Sequence, residues 1–232
     1  MTLKPRIPET SEGIQDEITV EQYDHMQRGL RDNGHLPVEE LIRASKPGDS
    51  ALEIGPGPGY FGLEWLKHTK KTHLTGLEIS PAMIRMAEKN SKDYGLSDRS
   101  IYHEGNALSM PFADNSFDLA FSNGSLHEWE DPGKVFSEIF RVLKPGGELR
   151  VSDLRRDLSP EIYQFMLDSC KGPEIKKGFQ TSVQAAYTKE ELEILLQDIG
   201  FTWVQVIAHP YGLVAMGKNN FFIPESELQV WQ

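Results

Sequence analysis

The sequence predicts an α/β fold in which a doubly wound, seven-stranded sheet is mostly parallel and closes with an antiparallel β-hairpin. Between residues 50 and 155, short apolar runs of strand length alternate with segments whose apolar positions recur at helical spacing. The first run, residues 51–54, is followed at once by glycines at alternate positions. Such alternation specifies parallel strands joined by right-handed crossovers, and ligands collect beyond the carboxyl ends of these strands.

Composition and charge limit the possible functions. A chain of 232 residues suits one α/β domain with an appendage. The net charge of −11 would repel a phosphate backbone, so we do not expect a nucleic-acid partner. The single cysteine, Cys170, excludes an internal disulfide and a cysteine-based zinc cluster, and we predict no metal site. No apolar run reaches the ~18 residues of a membrane span, and the first residues lack a signal-peptide core, so we expect a cytoplasmic protein. The oligomeric state is left open.

Five stretches follow from the pattern of strands and helices. We predict a helical cap at 1–45, a cofactor-binding core at 46–154, an inserted helical lid at 155–187, a helix and hairpin that complete the core at 188–218, and a tail at 219–232. The lid interrupts the regular alternation directly after the fifth strand, which places it over the carboxyl ends of the strands.

The cap contains two predicted helices. Residues 1–17 are polar and contain proline, so we expect them to be loosely ordered. Apolar residues at helical spacing predict a helix over 19–30, which the Thr19 side chain would cap. A shorter helix over 37–44 begins at Pro37, whose missing N–H does no harm at that position.

The core supplies five strands, each an apolar run of strand length. We predict them at 51–54, 72–77, 100–103, 117–122 and 148–152. A helix over 60–68 follows the glycines, and Ser80 caps the next helix, which Gly95 ends. A third helix covers 132–143 and stops at the turn 144–147, where proline and two glycines occur together.

The lid and the last strands come next in the chain. A helix over 160–171 opens the lid, and glycine, proline and lysine mix with isolated aromatic residues over 172–187. This composition suits movement, so we predict that 155–187 and the helix around Tyr23 form a mobile lid. The alternative is a rigid helical decoration that stabilises the sheet edge. Thr188 begins a capping box that opens a helix over 189–199. The final strands form an antiparallel hairpin at 201–208 and 212–218.

The glycine turn after the first strand is typical of a nucleotide-type cofactor site, but its spacing fits two cofactors. Glycines let the backbone turn sharply and approach a ligand closely. Gly57, Gly59 and Gly62 satisfy the G-x-G-x-x-G spacing of dinucleotide-binding proteins. Glu53 with Gly55, Gly57 and Gly59 instead satisfies the E-x-G-x-G-x-G spacing of class I S-adenosylmethionine (SAM) methyltransferases. An acidic residue after the second strand, Glu78, fits either family.

Two segments further along the chain favour the second family. Residues 108–118, LSMPFADNSFD, and 142–147, VLKPGG, resemble segments of small-molecule SAM methyltransferases of the ubiquinone and menaquinone C-methyltransferase type. The resemblance is close over about residues 40–155 and loose over the hairpin. It implies the Rossmann-like class I methyltransferase fold, SAM as cofactor and a small-molecule substrate.

The resemblance also implies which residues bind SAM. The glycines at 55, 57 and 59 would meet its methionine part, Glu53 would hold that loop or the methionine amino group through water, and Glu78 would accept hydrogen bonds from both ribose hydroxyls. The remaining implied cofactor contacts are Ile79 and Ala107 at the adenine, Asn106 where the family usually has Asp, Asn123 after the fourth strand, and Tyr23 in the cap.

The chemistry implied by the family is an in-line displacement at the sulfonium methyl group, so the protein mainly positions the acceptor and excludes water. His127 and Glu128 follow the fourth strand and are the candidate catalytic bases, although each would also suit a packing or capping role. Arg155 could bind an anionic substrate together with its neighbour Arg156, or both could form surface ion pairs with acidic neighbours.

We therefore predict a SAM-dependent methyltransferase that acts on a small molecule. One alternative is an NAD(P)-dependent oxidoreductase, which would leave the segments at 108–118 and 142–147 unexplained. The other alternative is a non-catalytic SAM-binding module, which would bind SAM but have no acceptor pocket.

Overall fold

The computed structural model describes residues 5–9, 13–46 and 48–219. The helices of these ranges are α1 (Glu17–Asp32), α2 (Val38–Ala44), α3 (Tyr60–His68), α4 (Pro81–Tyr94), α5 (Pro132–Val142), α6 (Pro160–Ser169), α7 (Pro173–Ala185) and α8 (Lys189–Asp198), with a 3₁₀ turn at Leu126–Glu128. The strands are β1 (Ser50–Ile54), β2 (His73–Glu78), β3 (Ser100–Glu104), β4 (Phe117–Asn123), β5 (Leu143–Asp153), β6 (Gln205–His209) and β7 (Gly212–Lys218).

The strands form one seven-stranded sheet in the order β3-β2-β1-β4-β5-β7-β6. The pairs from β3 to β5 are parallel, whereas β7 runs antiparallel to both β5 and β6. This confirms the predicted fold class. The order reverses between β1 and β4, which leaves a crevice beyond the carboxyl ends of these two strands.

The sheet is covered on both faces by apolar helix surfaces. One core cluster joins inward residues of β1, β4 and β5 to α5 and α8, with Phe136, Ile139 and Leu192 almost fully buried. The other joins α2 and α3 to the opposite face and includes Trp65 and Phe121, whose rings lie 5.6 Å apart. Because β1 is buried along its last four residues, its carboxyl end is held rigidly where the glycine turn begins.

Local signals placed most helix ends correctly. The Ser80 side chain accepts a hydrogen bond from the Met83 N–H, Gly95 ends α4 at φ 67°, and both halves of the capping box that Thr188 begins are present. The cap predicted at Thr19 is wrong. The Asp16 side chain caps α1 by accepting from the Thr19 N–H at 2.8 Å, since helix formation begins two residues earlier.

The fifth strand is longer than predicted. It begins at Leu143 and includes the 144–147 turn, where its register against β4 shifts between Phe117 and Leu119. Asn219 is buried and donates from Nδ2 to the Leu143 carbonyl at 3.0 Å, which stabilises this irregular start. Asn219 therefore belongs to the core and not to the predicted tail, whose remaining residues, 220–232, lie outside the described residues.

Most of the segment 172–187 forms α7, a helix that the sequence did not predict, and its mobility stays a prediction. Gly172 precedes this helix at φ 91° and Pro173 occupies its first turn, so both residues mark a helix start rather than a loop. The preceding helix ends at Ser169, two residues before the predicted end. Strand β6 begins at Gln205, because residues 201–204 form a turn.

The segment 5–9 is held against α7, contrary to the loose order expected of residues 1–17. Ile7 N–H donates to the Gln184 carbonyl at 3.1 Å, and the Arg6 side chain donates to the Ala185 carbonyl. The two residues of the Arg6–Ala185 contact are 179 positions apart in the chain. Helix and strand periodicity concern neighbouring residues, so they could not predict it. Within the described ranges, none of the helices combines the length and apolar character that crossing a bilayer requires.

Candidate active site

A cleft with a cavity of about 120 Å³ lies at the carboxyl ends of β1, β2 and β4. It is covered from the cap side by α1 and by the segment around Gly13 and Ile14. The structure brings together here all but two of the predicted site residues: Tyr23, Glu53, Gly55, Gly57, Glu78, Ile79, Asn106, Ala107, Asn123 and Glu128. The two that do not line the cleft are Gly59 and His127.

The glycine turn needs glycine for its backbone and for its space. Gly55, Gly57 and Gly59 have φ values of 64°, 54° and 84°, in the left-handed region that other residues rarely adopt. A Cβ at Gly55 would lie 2.8 Å from the Ser125 Cβ, and one at Gly59 would lie 2.9 Å from the Tyr102 hydroxyl oxygen. Gly59 thus shapes the turn from behind while its two neighbours face the cleft.

Glu53 lies beneath this turn and is almost fully buried. Its Oε1 accepts from the Gly62 N–H at 3.1 Å, whereas its Oε2 is buried without a hydrogen-bond partner among the described residues. Burial raises the pKa of Glu53 to about 8, so its carboxyl is mostly protonated at neutral pH. The orphaned oxygen leaves Glu53 able to hydrogen-bond a polar group that enters above the glycines.

Glu78 has the position expected of a residue that binds ribose, and its carboxylate can accept further hydrogen bonds. Its Oε2 accepts from the Gly57 N–H and its Oε1 from the Ser80 N–H, both at 3.0 Å. Burial raises the pKa of Glu78, an effect that these two N–H donors oppose. A carboxylate offers about four lone-pair sites, so each oxygen can still accept from one hydroxyl of a vicinal diol.

The two asparagines face the cleft with their amide oxygens already engaged. Asn106 is exposed, and its Oδ1 accepts from the Leu108 N–H at 2.8 Å. The Asn123 Oδ1 accepts from the Ser152 hydroxyl at 2.8 Å. An sp² oxygen has two lone pairs, so the predicted contact from Asn106 to an adenine amine requires its second one. Both hydrogen bonds fix the orientation of the amide group.

Tyr23 packs against apolar neighbours and also lines the cleft. Its ring packs with Val20, Ala82 and Met83, and the same ring lines the cleft above Gly57. The hydroxyl accepts from the Gln27 Nε2 at 3.0 Å. Burial, followed by the charge of Glu128, raises the pKa of Tyr23, so the phenol stays neutral.

His127 is buried behind the cleft lining and is held by Asp153. Its backbone N–H donates to Asp153 Oδ2 at 2.7 Å, and its Nδ1 lies 2.9 Å from Asp153 Oδ1. Burial lowers the pKa of His127, but the Asp153 carboxylate and two nearby glutamates outweigh it and raise the value to about 9. Protonation makes a histidine a poor base, and His127 does not line the cleft. Its role as the proton acceptor stays a prediction.

Glu128 is the ionisable group beside His127 that faces the cleft. Its side chain is 39% exposed, and its Oε1 lies 3.8 Å from His127 Nε2. Burial by surrounding atoms raises the pKa of Glu128 to about 7, an effect that His127 opposes and that Glu9 and Glu78 reinforce. A carboxylate with such a pKa can both accept and release a proton near neutral pH.

The sequence analysis missed two residues that contact His127. Glu9 Oε2 lies 3.6 Å from His127 Nε2, and the Glu9 carboxylate accepts from the hydroxyls of Thr181 and Ser182 on α7. No sequence signal pointed to Glu9, which lies in a polar segment without periodicity. Asp153, at the end of β5, was not among the predicted site residues, and the structure shows that it fixes the His127 ring.

The site therefore offers a diol acceptor at Glu78, a tight backbone cradle at the glycines and an orphaned acid oxygen at Glu53. A family model described as "Methyltransferase domain" matches residues 52–151, which contain all three features. The chain is 37% identical over 116 residues to the uncharacterized methyltransferase YdaC of Bacillus subtilis, an alignment that covers 49% of this chain and 62% of that protein.

A longer alignment decides the family. The chain is 31% identical over 192 residues to the demethylmenaquinone methyltransferase of Listeria welshimeri, which covers 76% of this chain and 79% of that protein. The chain belongs to the class I SAM-dependent methyltransferases. Of the two cofactors that fit the glycine spacing, SAM is therefore the cofactor of this methyltransferase.

The fold of this methyltransferase agrees with that assignment. The crystal structure of a SAM-dependent methyltransferase from Aquifex aeolicus superposes with a TM-score of 0.66 at 21% identity, covering 88% of this chain and 99% of that chain. At this identity the likeness concerns the fold alone. The chain spans less than two thirds of the length of YdaC.

Proposed function

We propose that this methyltransferase transfers the methyl group of SAM to a small molecule by in-line displacement. The observation that carries the proposal is the cleft, in which the side chains of Glu78 and Glu128 line one cavity. The Listeria relative supports the substrate class, since the demethylmenaquinone of its name is a small molecule.

Cofactor binding is assigned to the residues of the glycine turn and the adjacent strand ends. Gly55 and Gly57 would receive the methionine part, with Glu53 beneath them, and Glu78 would accept from the ribose hydroxyls. The remaining contacts proposed for the cofactor are those of Tyr23, Ile79, Asn106, Ala107 and Asn123, all of which line the cleft. Gly59 lies on the side of the turn away from the cleft, and its missing Cβ lets the backbone pack against the Tyr102 hydroxyl.

The chemical demands on the protein are small, because SAM supplies a methyl group that is already activated. The chain has to orient the acceptor, exclude water and remove a proton where the acceptor carries one. We assign the proton to Glu128, because its carboxylate faces the cleft. Behind the lining, Asp153 accepts from the His127 backbone N–H, and His127 Nε2 lies 3.8 Å from Glu128 Oε1.

The lid predicted at 155–187 stays part of this proposal, extended by the segment 5–9. Helix α6 has no buried residue, and α7 buries only Val183 and Ala185, so both helices, which the structure describes in full, are weakly held against the core. Glu9 links α7 to His127 beside the cleft. Movement of this unit would open and close the acceptor side of the site.

The test is a screen of metabolite extracts for SAM-dependent products by mass spectrometry. We expect a product heavier by one methyl group together with demethylated SAM, and calorimetric binding of SAM but not of NAD or NADP. SAM binding without any methylated product from broad extracts would instead favour the non-catalytic SAM-binding module. The cytoplasmic location and the absence of a nucleic-acid partner stay predictions from composition.

A further inference from the structure

Apart from two tyrosines, the ionisable side chains that line the cleft are all carboxyl groups. Among the described residues these are Glu53, Glu78, Glu128 and Glu130, and the lining contains no lysine, arginine or histidine. Glu53 is mostly protonated at neutral pH, so the negative charge of the lining lies on the other three. Like charges in a low-dielectric cleft repel an anion and concentrate cations. The lining is therefore suited to a ligand whose net charge is positive.

Two arginines of the segment that follows β5 are already paired. Arg155 donates from Nε to Asp157 Oδ1 at 2.7 Å, and Arg156 pairs with Glu191 and donates to the Ala186 carbonyl. These are the two residues that the sequence suggested for an anionic substrate. Because their guanidinium groups are engaged outside the lining, an anionic acceptor would find no opposite charge there.

A third cation, Arg6, is also engaged. Its guanidinium donates to the carbonyl oxygens of Ala185 and His127, and it lies over the Tyr187 ring at 4.3 Å. The charge of His127 is shared by three carboxylates, those of Asp153 at 2.9 Å, Glu9 at 3.6 Å and Glu128 at 3.8 Å. Because one cation faces three carboxylates, this side of the cleft keeps an excess of negative charge.

SAM alone does not balance these carboxylates. It carries a sulfonium, an ammonium and one carboxylate, hence a single net positive charge, and Glu78 is taken up by the ribose in the proposed binding mode. Glu128 and Glu130 remain on the lining beside Trp129, whose aromatic ring can also attract a cation. A second positive ligand would complete the charge balance of the closed cleft.

We propose that the acceptor is an amine that enters the cleft as an ammonium ion and that Glu128 selects it. This inference rests on the proposed function. The Glu128 carboxylate takes one proton from the ammonium, which frees the nitrogen lone pair. That pair forms the new N–C bond as the S–C bond breaks, its electrons stay on sulfur, and the product leaves as a methylated ammonium. Glu128 then releases its proton to solvent, to which its side chain is 39% exposed.

The binding test uses three probes of one skeleton: 2-phenylethylamine, 2-phenylethanol and phenylacetate. Each is titrated calorimetrically into the protein saturated with demethylated SAM. We expect the amine to bind at least about tenfold more tightly than the alcohol or the carboxylate, since charge complementarity separates the three. Glu128→Gln should remove this preference, while Glu88→Gln, the same change on the exposed face of α4, should keep it.

Several outcomes overturn the inference. These are equal binding of the three probes, no binding of any of them, tighter binding of the alcohol or carboxylate, and a preference that survives in Glu128→Gln. The metabolite screen separates this failure from failure of the proposed function. If no methylated product forms, the proposed function fails. A product methylated on carbon or oxygen contradicts only the inference that the acceptor is an amine.

Discussion

The Glu78 carboxylate illustrates how one side chain can serve both the apo fold and the ligand. It accepts from the backbone N–H groups of Gly57 and Ser80, and so joins the glycine turn to the start of α4. The lone pairs that remain point to the same cleft. Loss of Glu78 should therefore affect the affinity for SAM more directly than it affects the fold.

The first prediction concerns the affinity of Glu78 variants for SAM. Charge-assisted hydrogen bonds are worth roughly 1.5–3 kcal/mol each, so Glu78→Ala should weaken SAM binding at least about tenfold in calorimetry. Glu78→Gln should have a smaller effect, because one acceptor oxygen remains. Glu104→Ala, at the exposed end of β3, is the control. Unchanged affinity in a folded Glu78→Ala protein would remove Glu78 from the cofactor site.

The second prediction separates backbone strain from crowding at the glycines. Gly59 and Gly95 both have positive φ values, 84° and 67°, but a Cβ at Gly95 meets nothing within 4 Å, whereas one at Gly59 lies 2.9 Å from the Tyr102 hydroxyl oxygen. Gly95→Ala should lose about 1–2 kcal/mol of unfolding free energy from the left-handed backbone alone. Gly59→Ala should lose more, and should also weaken SAM binding.

Urea denaturation measures both losses in the second prediction, and Tyr102→Phe in the Gly59→Ala background should recover part of the difference. If both alanine variants lose the same unfolding free energy, the close contact with Tyr102 does not destabilise the Gly59→Ala protein.

At the scale of elements, helix α7 of the lid contacts segment 5–9 of the cap, and Glu9 of that segment lies beside His127. It contacts segment 5–9 through the Gln184 and Ala185 carbonyls, and its Thr181 and Ser182 hydroxyls donate to Glu9. Few of its side chains are buried. The stability of α7 therefore depends on contacts that a small movement can break, which is characteristic of elements that open and close a site.

The third prediction tests this linkage by hydrogen exchange. SAM binding should add protection over α1, α6, α7 and segment 5–9, because the proposed lid closes with the ligand. Arg6→Leu should speed the exchange of the α7 amides without ligand, while Arg85→Leu, a change at a 60% exposed side chain on α4, should not. Protection confined to the glycine turn and Glu78 would show that α6 and α7 are rigid scaffold.

At the scale of the whole molecule, buried carboxyls couple the stability of the fold to pH. The pKa of Glu53 is about 8 in the folded protein against an ordinary value of 4.5. A carboxyl whose folded pKa is raised contributes its full stability below its unfolded value. That stability decreases as pH rises towards the folded pKa and levels off above it. The window for Glu53 therefore runs from about pH 4.5 to about pH 8.

The fourth prediction follows from that sign. The unfolding free energy of the wild-type protein should fall relative to that of Glu53→Gln as pH increases from 5 to 8.5, by on the order of a few kcal/mol. Urea denaturation at several pH values measures the difference, with Glu104→Gln as an exposed control. Parallel pH profiles for wild type and Glu53→Gln would mean that the burial of this carboxyl does not shift its titration.

Local chemistry was enough to predict the fold class, the glycine turn and most helix ends. Alternating apolar runs decide strand and helix, positive φ values demand glycine at 55, 57 and 59, and capping residues such as Ser80 act within three positions of themselves. The segments at 108–118 and 142–147 resolved the choice of cofactor, which the glycine spacing alone left open. All of these properties depend on neighbours in the chain.

Only the tertiary structure decided which groups lie together beside the cleft. Glu9, His127 and Asp153 come together from three distant parts of the chain, and the same packing turns His127 away from the cleft while Glu128 faces it. It also gives Arg155 and Arg156 partners, which leaves the lining acidic. Contacts across such sequence distances depend on how helices and strands pack, and packing has no period that a linear sequence displays.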